Sequence, residues 1–518
     1  MDEETRQLNN PIWRLENLYS IKTEDEGRKI PFQPRAEQRE VITSLIENPE
    51  DTLYIIKSRR LGMSTAIGLT MADCAAWNAG FQGSLVDQTQ SDAERKMSEI
   101  MRYGVLSLPA DMVSRLEFPK MNDGELQILL KGDNIEDTSR IFAGKGARGG
   151  TNNFLWVSEW GPIAATDPAR SREIRTGALP SARRGRKAIE TTWYGGKGGD
   201  LWELVEPVLN QDPNAAGKLY FFPWHGDPAC IKTTGLVDGE LEQYFRELAD
   251  RLSRTFTQEQ KKWYAAAKVE QGIFVKREYP STLEEAMTAP VEGAIYGELM
   301  TRARAEGRVK PYIVDGSALV HTFWDEGAPM NTATWYVQFV GGEIRIVDFD
   351  FELDLTPVER VAHMKAKGYP LGNHYLTHAS QQTETSGKTR AVQFQEAGLV
   401  NVRVVPRTND IWVGIGEAQQ QMPRMIFRMP HCERGVAALD CYHTKTSKVG
   451  AIISNDPVHD WSSHPADALR TMAEAIMGGM IEGGSSVAKQ ARKTGQRPEV
   501  ITGFRDPRVG GSKVRVLR

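Results

Sequence analysis

The sequence predicts an α/β protein with a first domain on a mostly parallel, doubly wound sheet and a second domain in which a hairpin sheet precedes alternating helices and strands. Three observations predict it. Apolar runs of strand length recur through residues 52–192, several of them followed by helix-spaced segments, and such alternation favours a parallel sheet with ligands at the strand C-termini. The first run enters a glycine-containing turn that opens a helix. The length, 518 residues, exceeds one ordinary core, so two large domains plus tails are expected.

Composition narrows the class. A hydrophobic content of 40% with 25% charged residues is that of a soluble globular protein. The net charge of −4 excludes a globally basic nucleic-acid binder, although a local basic channel is invisible in a net count. No apolar run approaches the roughly 20 residues that span a bilayer, and the acidic, polar start MDEETRQLNN predicts no secretory signal. Cys74, Cys230, Cys432 and Cys441 are scattered, as expected in a reducing compartment. His431, Cys432, Cys441 and His443 lack the close cysteine pair of a zinc site, and no zinc is expected there.

TLYIIKSRRLGMST (52–65) reads as a buried strand running into a phosphate-binding loop. In the usual G-x-x-x-x-G-K-[ST] loop, backbone N–H groups cradle phosphates, the lysine neutralises them and the hydroxyl holds Mg²⁺. Gly62 and Ser64 keep that spacing, but Met63 fills the lysine slot and Lys57 the first glycine slot, so the lysine reaches the phosphates from the other end. Arg59 and Arg60 add positive charge, and Ser58 and Thr65 complete the candidate nucleotide contacts. A helix follows over 64–78. Further strands are expected at 83–89, 126–131, 140–144, 153–159 and 187–192.

NFLWVSEWG (153–161) ends in Ser158 and Glu159 where a Walker B strand ends in Asp-Glu. Glu159 is placed to polarise the attacking water, and Ser158 to contact the Mg²⁺ shell through water. Arg148, in the glycine-rich basic stretch GKGARGGTNN, is an arginine finger for a neighbouring subunit, a DNA contact or a solvated side chain. Thr191 and Thr192 end the next strand as a γ-phosphate sensor. Gln38, in FQPRAEQREVI, sits where an adenine-reading glutamine would, or is a helix-surface residue.

In order, these segments resemble the large terminase subunits of tailed bacteriophages: the adenine-side Gln, the lysine-shifted loop, RGGT-x-NFLWVSE and ETTWYGG. VKREYPSTLEEAM (275–287) is similar to the segment closing that family's ATPase domain, and HDWSSHPADALR (459–470) to the last metal motif of its nuclease domain. The resemblance covers roughly residues 30–478. It implies a P-loop ATPase domain followed by an RNase H-like nuclease domain, with ATP, Mg²⁺ and, for the nuclease, Mg²⁺ or Mn²⁺. It further implies a motor that pumps double-stranded DNA through a portal into a procapsid and cuts concatemers. The implied partners are DNA, the portal protein, the small terminase subunit and further copies of the chain in a ring, a pentamer. The implied location is the bacterial host cytoplasm, with no membrane. The corresponding division is an arm (1–30), the ATPase domain (31–290), a linker (291–317), the nuclease domain (318–478) and a basic flexible tail (479–518). Two rivals remain: a helicase–nuclease of DNA repair or recombination, and a non-catalytic capsid-associated protein.

In the second half, ALVHTFWDEG (318–327) is a strand ending in Asp325 and Glu326, and Gly341-Gly342 turns a hairpin. Two-metal phosphodiester cleavage needs converging carboxylates about 4 Å apart at their metals, with hard oxygen ligands. Asp325 and Asp467 fit two of three expected acids, with Asp460 a helper or a turn residue. After HYL-x-H the family pattern has an aspartate, and this chain has Ala379, which cannot bind metal. An engineered loss, substitution by Glu384 or Asp348, and a shifted alignment are the three explanations. SARRGRK (181–187) is the expected phosphate-contacting loop.

Overall fold

A computed structural model of the chain describes residues 2–481 apart from 24–26, 147–149, 195, 289–290, 292, 328–330, 352, 384–386 and 447–451. It divides into two compact units. One holds the residues up to Ala294 together with His443–Asp460, the other Ile295–Tyr442 and the chain from Trp461 onward.

The first unit is built on eight strands: β1 (Thr52–Lys57), β2 (Gln82–Val86), β3 (Leu116–Glu117), β4 (Glu125–Leu130), β5 (Ser139–Gly144), β6 (Phe154–Ser158), β7 (Arg186–Thr191) and β8 (Lys218–Phe222). Their order across the sheet is β8-β1-β7-β6-β2-β5-β4-β3, parallel from β8 to β5, with β4 and β3 added antiparallel at one edge. The apolar runs read as strands because both sheet faces are covered. Leu53, Ile55, Phe154 and Trp156 enter one core with the helix α1 (Met63–Trp77), while Tyr54, Ile56, Leu155 and Val157 enter a second core on the opposite face. Alternation along a strand divides the side chains this way. α1 is apolar nearly all round, as a helix enclosed on all sides must be.

Two of the expected boundaries are corrected. Residues 1–30 are not a separate arm: Leu15 and Tyr19 are in the core, and Arg14 pairs through Nε with Asp73 Oδ1 at 2.8 Å. Asp73 is buried in α1, and a buried carboxylate requires such a counter-charge. Residues 443–460, read from sequence as part of the second domain, pack with the first unit. There the antiparallel pair Thr444–Thr446 and Ile452–Pro457 is anchored by Thr444 N–H to the Gly293 carbonyl at 3.1 Å. A further cluster not anticipated from sequence gathers Phe245, Phe256, Trp263 and Tyr264 around Trp224, with the Trp224 and Trp263 rings stacked at 5.2 Å.

The second unit carries β9 (Val309–Lys310), β10 (Val320–Asp325), β11 (Ala333–Val340), β12 (Glu343–Asp350), β13 (Leu371–Leu376), β14 (Val402–Val404) and β15 (Met425–Arg428), in the order β9-β15-β12-β11-β10-β13-β14. β10, β11 and β12 are antiparallel neighbours, and β13, β14 and β15 add parallel partners. The hairpin between β11 and β12 turns on Gly341 (φ 56°) and Gly342 (φ 86°), the left-handed pair a two-residue turn requires. The terminal helix α2 (Ser463–Met477) packs Leu469 and Met472 into the core with Phe323 and Trp335. The expected linker is corrected too: Tyr296, Met300 and Ala303, of the turn and helix at Tyr296–Ala305, are buried, and β9 pairs with β15. Among the described residues, no helix is long and apolar enough to cross a membrane.

Candidate active site

The loop expected to bind phosphate leaves β1 at Lys57 and enters α1 at Met63, with Gly62 as the N-cap at φ 69°. A Cβ at Gly62 would lie 2.6 Å from Gln38 Nε2, so glycine is required by conformation and by contact alike. Gln38 braces the loop: Nε2 donates to the Gly62 carbonyl at 2.8 Å, and Oε1 accepts from Arg35 N–H at 2.9 Å. Both polar atoms of the expected adenine reader are thus engaged with the chain itself, and Gln38 does not line the adjoining cleft. That cleft, about 1370 Å³, is lined by Lys57, Arg59, Arg60, Gly62, Ser64, Thr65 and Glu159 among others. Ser58 is fully buried behind it and Ser158 is fully buried at the end of β6.

Lys57 is buried, with Nζ 3.5 Å from Glu159 Oε1 and 3.3 Å from Glu190 Oε1. Burial works against its ammonium, but the two carboxylates outweigh that and hold its pKa above the usual lysine value. Glu159 adopts φ 56° at the start of the helix Trp160–Thr166. A left-handed residue at a strand end is strained and aims its side chain away from the strand. Its Oε2 accepts from both Thr192 N–H and Thr192 Oγ1 at 3.2 Å, so the end of β7 holds the acid in place. Thr191 faces inward, where its Oγ1 accepts from Gly161 N–H at 2.9 Å. Arg59 pairs with Glu278, whose carbonyl also accepts from Arg59 N–H at 3.0 Å. The VKREYPS segment therefore docks on the loop itself.

Sequence reasoning passed over three groups here. Glu190, on β7, is completely buried and accepts from Ser64 Oγ at 2.8 Å and Trp156 Nε1 at 3.3 Å. Burial alone would raise its pKa, but Lys57, Lys96 and the Ser64 hydroxyl hold it below the ordinary carboxylate value. Lys96 reaches Asp87 Oδ2 at 2.8 Å and donates to Ser158 Oγ. The available signal was a Glu flanked by buried Ile189 and Thr191 in a strand, a placement that needs a partner. The hydroxyl of Ser64 and the carboxylates beside it are hard oxygen donors, and that donor chemistry fits Mg²⁺ carried in with a nucleotide. Arg148 lies outside the described residues. In the loop at 181–187, Arg183 and Arg184 are exposed, whereas Arg186 Nε donates to the Leu45 carbonyl at 2.8 Å and Lys187 reaches several carbonyls.

In the second unit Asp325 ends β10, and Ala379 lies in the short turn His378–Gln381 that follows the adjacent parallel strand β13. Asp325 and Ala379 line one cavity. His464, one turn before Asp467 on α2, places Nδ1 2.7 Å from Asp325 Oδ2. The spacing of three in HPAD sets both side chains on one helix face, a signal that was legible and not used. Burial, opposed by Arg470 and reinforced by the Asp325 charge, pushes Asp467 up to about 6. Burial likewise pushes Glu326 up to about 7 against its hydrogen bonds from Thr377, with Asp325 adding to the rise. Of the two substitute acids considered, Asp348 is engaged by Lys367 at 3.0 Å and Tyr369 at 2.9 Å and is not on that cavity, and Glu384 lies outside the described residues. Among the described residues no three His, Cys, Asp or Glu side chains converge as a metal-binding group. Two acids and an alanine do not fit a two-metal set, and no cleavage step follows from them.

No family model matches the chain, and no curated protein matches it. Among solved structures it is similar to the HK97 bacteriophage large terminase, at 12% identity and a TM-score of 0.44 over 91% of this chain and 99% of that one. It is also similar to the large terminase of a thermophilic bacteriophage in complex with ATP-γ-S, at 14% identity and a TM-score of 0.30 over 85% and 99%. A third is the nuclease domain of the P22 large terminase, at 16% identity and a TM-score of 0.27 over 35% and 92%. At these values the likeness lends no weight to a functional assignment, which rests on the residues. What the chain is similar to in each case is a phage large terminase or a part of one.

Proposed function

We propose that this chain is a large terminase subunit, an ATP-driven motor that moves double-stranded DNA through a portal into a procapsid in the bacterial host cytoplasm. It would work as a ring of copies, recruited to DNA by a small terminase subunit. The observation that carries this reading is the buried Lys57, ion-paired to Glu159 at the mouth of a loop whose Ser64 opens a helix. A nucleotide's phosphates would meet the free N–H groups of that helix start and the Lys57 ammonium, both suited to anions. Bound Mg²⁺ would neutralise phosphate charge beside Ser64. Glu159, released from Lys57 as the phosphates take the lysine, is then free to orient the attacking water. Its hydrogen bonds from Thr192 tie that acid to β7 and the segment beyond, a route by which hydrolysis moves the chain. Arg148 is proposed as the finger acting on a neighbouring copy.

The second unit is proposed as an RNase H-like endonuclease whose centre holds Asp325 and Asp467 and lacks the acid expected at Ala379. Its cutting of concatemers in Mg²⁺ or Mn²⁺ would be weak or lost.

The test is DNA-stimulated ATP hydrolysis and DNA packaging into proheads, with and without Lys57→Ala. The expected outcome is loss of both, by on the order of 10²–10³-fold in hydrolysis. Unchanged hydrolysis would sink the motor reading in favour of a non-catalytic protein. Strand displacement without a prohead would move it to a helicase–nuclease.

A further inference from the structure

Resting on the nucleotide-site reading above, we infer that Glu190 is the metal-side carboxylate of that site, standing in for the acid that β6 lacks at Ser158. The sheet order places β7 between the loop strand β1 and β6, with Glu190 in register with Ile55 on one side and Ser158 on the other. Glu190 itself lies buried behind the cleft and meets the loop mouth through Ser64, which lines it.

Four contacts define its position. Oε1 accepts from Ser64 Oγ at 2.8 Å and lies 3.3 Å from Lys57 Nζ. Oε2 accepts from Trp156 Nε1 at 3.3 Å and from Ser158 Oγ at 3.4 Å. The side chain is completely buried. A carboxylate in that setting is costly unless it is paired, and a threonine or valine would suit a buried strand better. Neutralising Lys57 does not account for it alone, since Glu159 lies 3.5 Å from the same ammonium. What Glu190 adds is the contact with Ser64, the hydroxyl a phosphate loop offers to its cation. Ser64 and Glu190 together make a pair of hard oxygen donors suited to Mg²⁺. Two displacements therefore compensate each other. The lysine has moved from the loop to the end of β1, and the acid from β6 to β7, leaving Ser158 as a neutral spacer that takes a hydrogen bond from Lys96.

The experiment measures Mn²⁺ binding by electron paramagnetic resonance in the presence of ATP-γ-S, alongside nucleotide affinity in EDTA. For Glu190→Gln the expected result is Mn²⁺ affinity lower by about 10–100-fold, the usual cost of losing a group that supports a metal's ligands, a loss that nucleotide affinity in EDTA does not share. Adding Ser158→Asp to Glu190→Gln, which returns the acid to β6, restores Mn²⁺ affinity. Wild-type Mn²⁺ affinity in Glu190→Gln overturns the inference, as does failure of the double variant to rescue. If Glu190→Gln does not fold by circular dichroism, Glu190→Asp decides: weaker Mn²⁺ binding supports the assignment and unchanged binding overturns it. Lys57→Ala, which loses nucleotide affinity even in EDTA, separates the two levels. If that variant binds nucleotide normally the phosphate-loop reading itself fails, whatever Glu190 does.

Discussion

The candidate nucleotide cleft of the first unit and the acid cavity of the second both lie at the ends of neighbouring strands. They differ in how their charges are balanced. In the cleft, Lys57 stands between Glu159 and Glu190, Lys96 between Asp87 and Ser158, and Arg59 against Glu278. Around the cavity lined by Asp325 and Ala379, Asp325 has His464, Asp467 on α2 is off the lining and has Arg470, and the turn expected to hold a third acid carries the methyl group of Ala379. Displacing a residue from a motif is tolerable where a neighbouring strand can present the same chemistry at the same point. Losing the acid expected at Ala379 would not be, because a methyl group offers a cation no electron pair.

The sharpest way to test this contrast is Glu159→Gln. With the water-polarising carboxylate gone and the fold intact, ATP turnover should fall about 10²–10⁴-fold while ATP-γ-S still binds. Equal losses of binding and turnover would show that the acid holds the nucleotide and does not act in hydrolysis.

Next in size is a gain. Ala379→Asp should raise Mn²⁺-dependent plasmid cleavage at least about tenfold by supplying the missing ligand. If both chains cut equally well, the cavity is not short of an acid and the contrast breaks.

Gly62→Ala should cost about 1–2 kcal/mol from the left-handed backbone alone. It should also weaken ATP binding, because the new methyl group would lie 2.6 Å from Gln38 Nε2. Thermal melting and nucleotide titration read the two effects separately, and an unchanged melt would show that the loop relaxes freely.

The smallest effect is a pH slope in the second unit. Glu326 titrates at about 7 when folded, against an ordinary value of 4.5. The folded state therefore takes up this proton before the unfolded state does. The associated stability is complete below about pH 4.5 and is lost as pH rises through about 7. Relative to Glu326→Gln, the wild-type chain should gain stability as pH falls across that window. Parallel denaturation curves from pH 8 to pH 4 would contradict it.

Much of the scaffold was legible. The runs TLYIIK and NFLWVS read as buried strands and are so, and Gly341-Gly342 marked its hairpin by the backbone freedom the turn demands. Boundaries were less legible. The stretch near residue 300 was placed between the two domains as a linker, yet Tyr296 and Met300 pack into the core of the second unit. Residues 443–460 were read with the second domain by their place in the chain, but they fold with the first unit, where Thr444 N–H meets the Gly293 carbonyl. Local patterns singled out Lys57, Ser64, Glu159, Asp325 and Asp467 as candidates, but not the groups that contact Ser64 and Asp325. Glu190 meets Ser64 across 126 residues, and His464 meets Asp325 across 139.

The sequence by itself therefore determined which strands are buried, where the loop between β1 and α1 turns, and where the β11–β12 hairpin turns. Each of these follows from residue type and spacing along a few consecutive positions. Only the tertiary structure decided which strand lies between β1 and β6, and hence that Glu190 and not Ser158 presents a carboxylate to Ser64. Strand order is set by how the crossover helices pack on the two sheet faces, and that packing sums contacts over the whole unit.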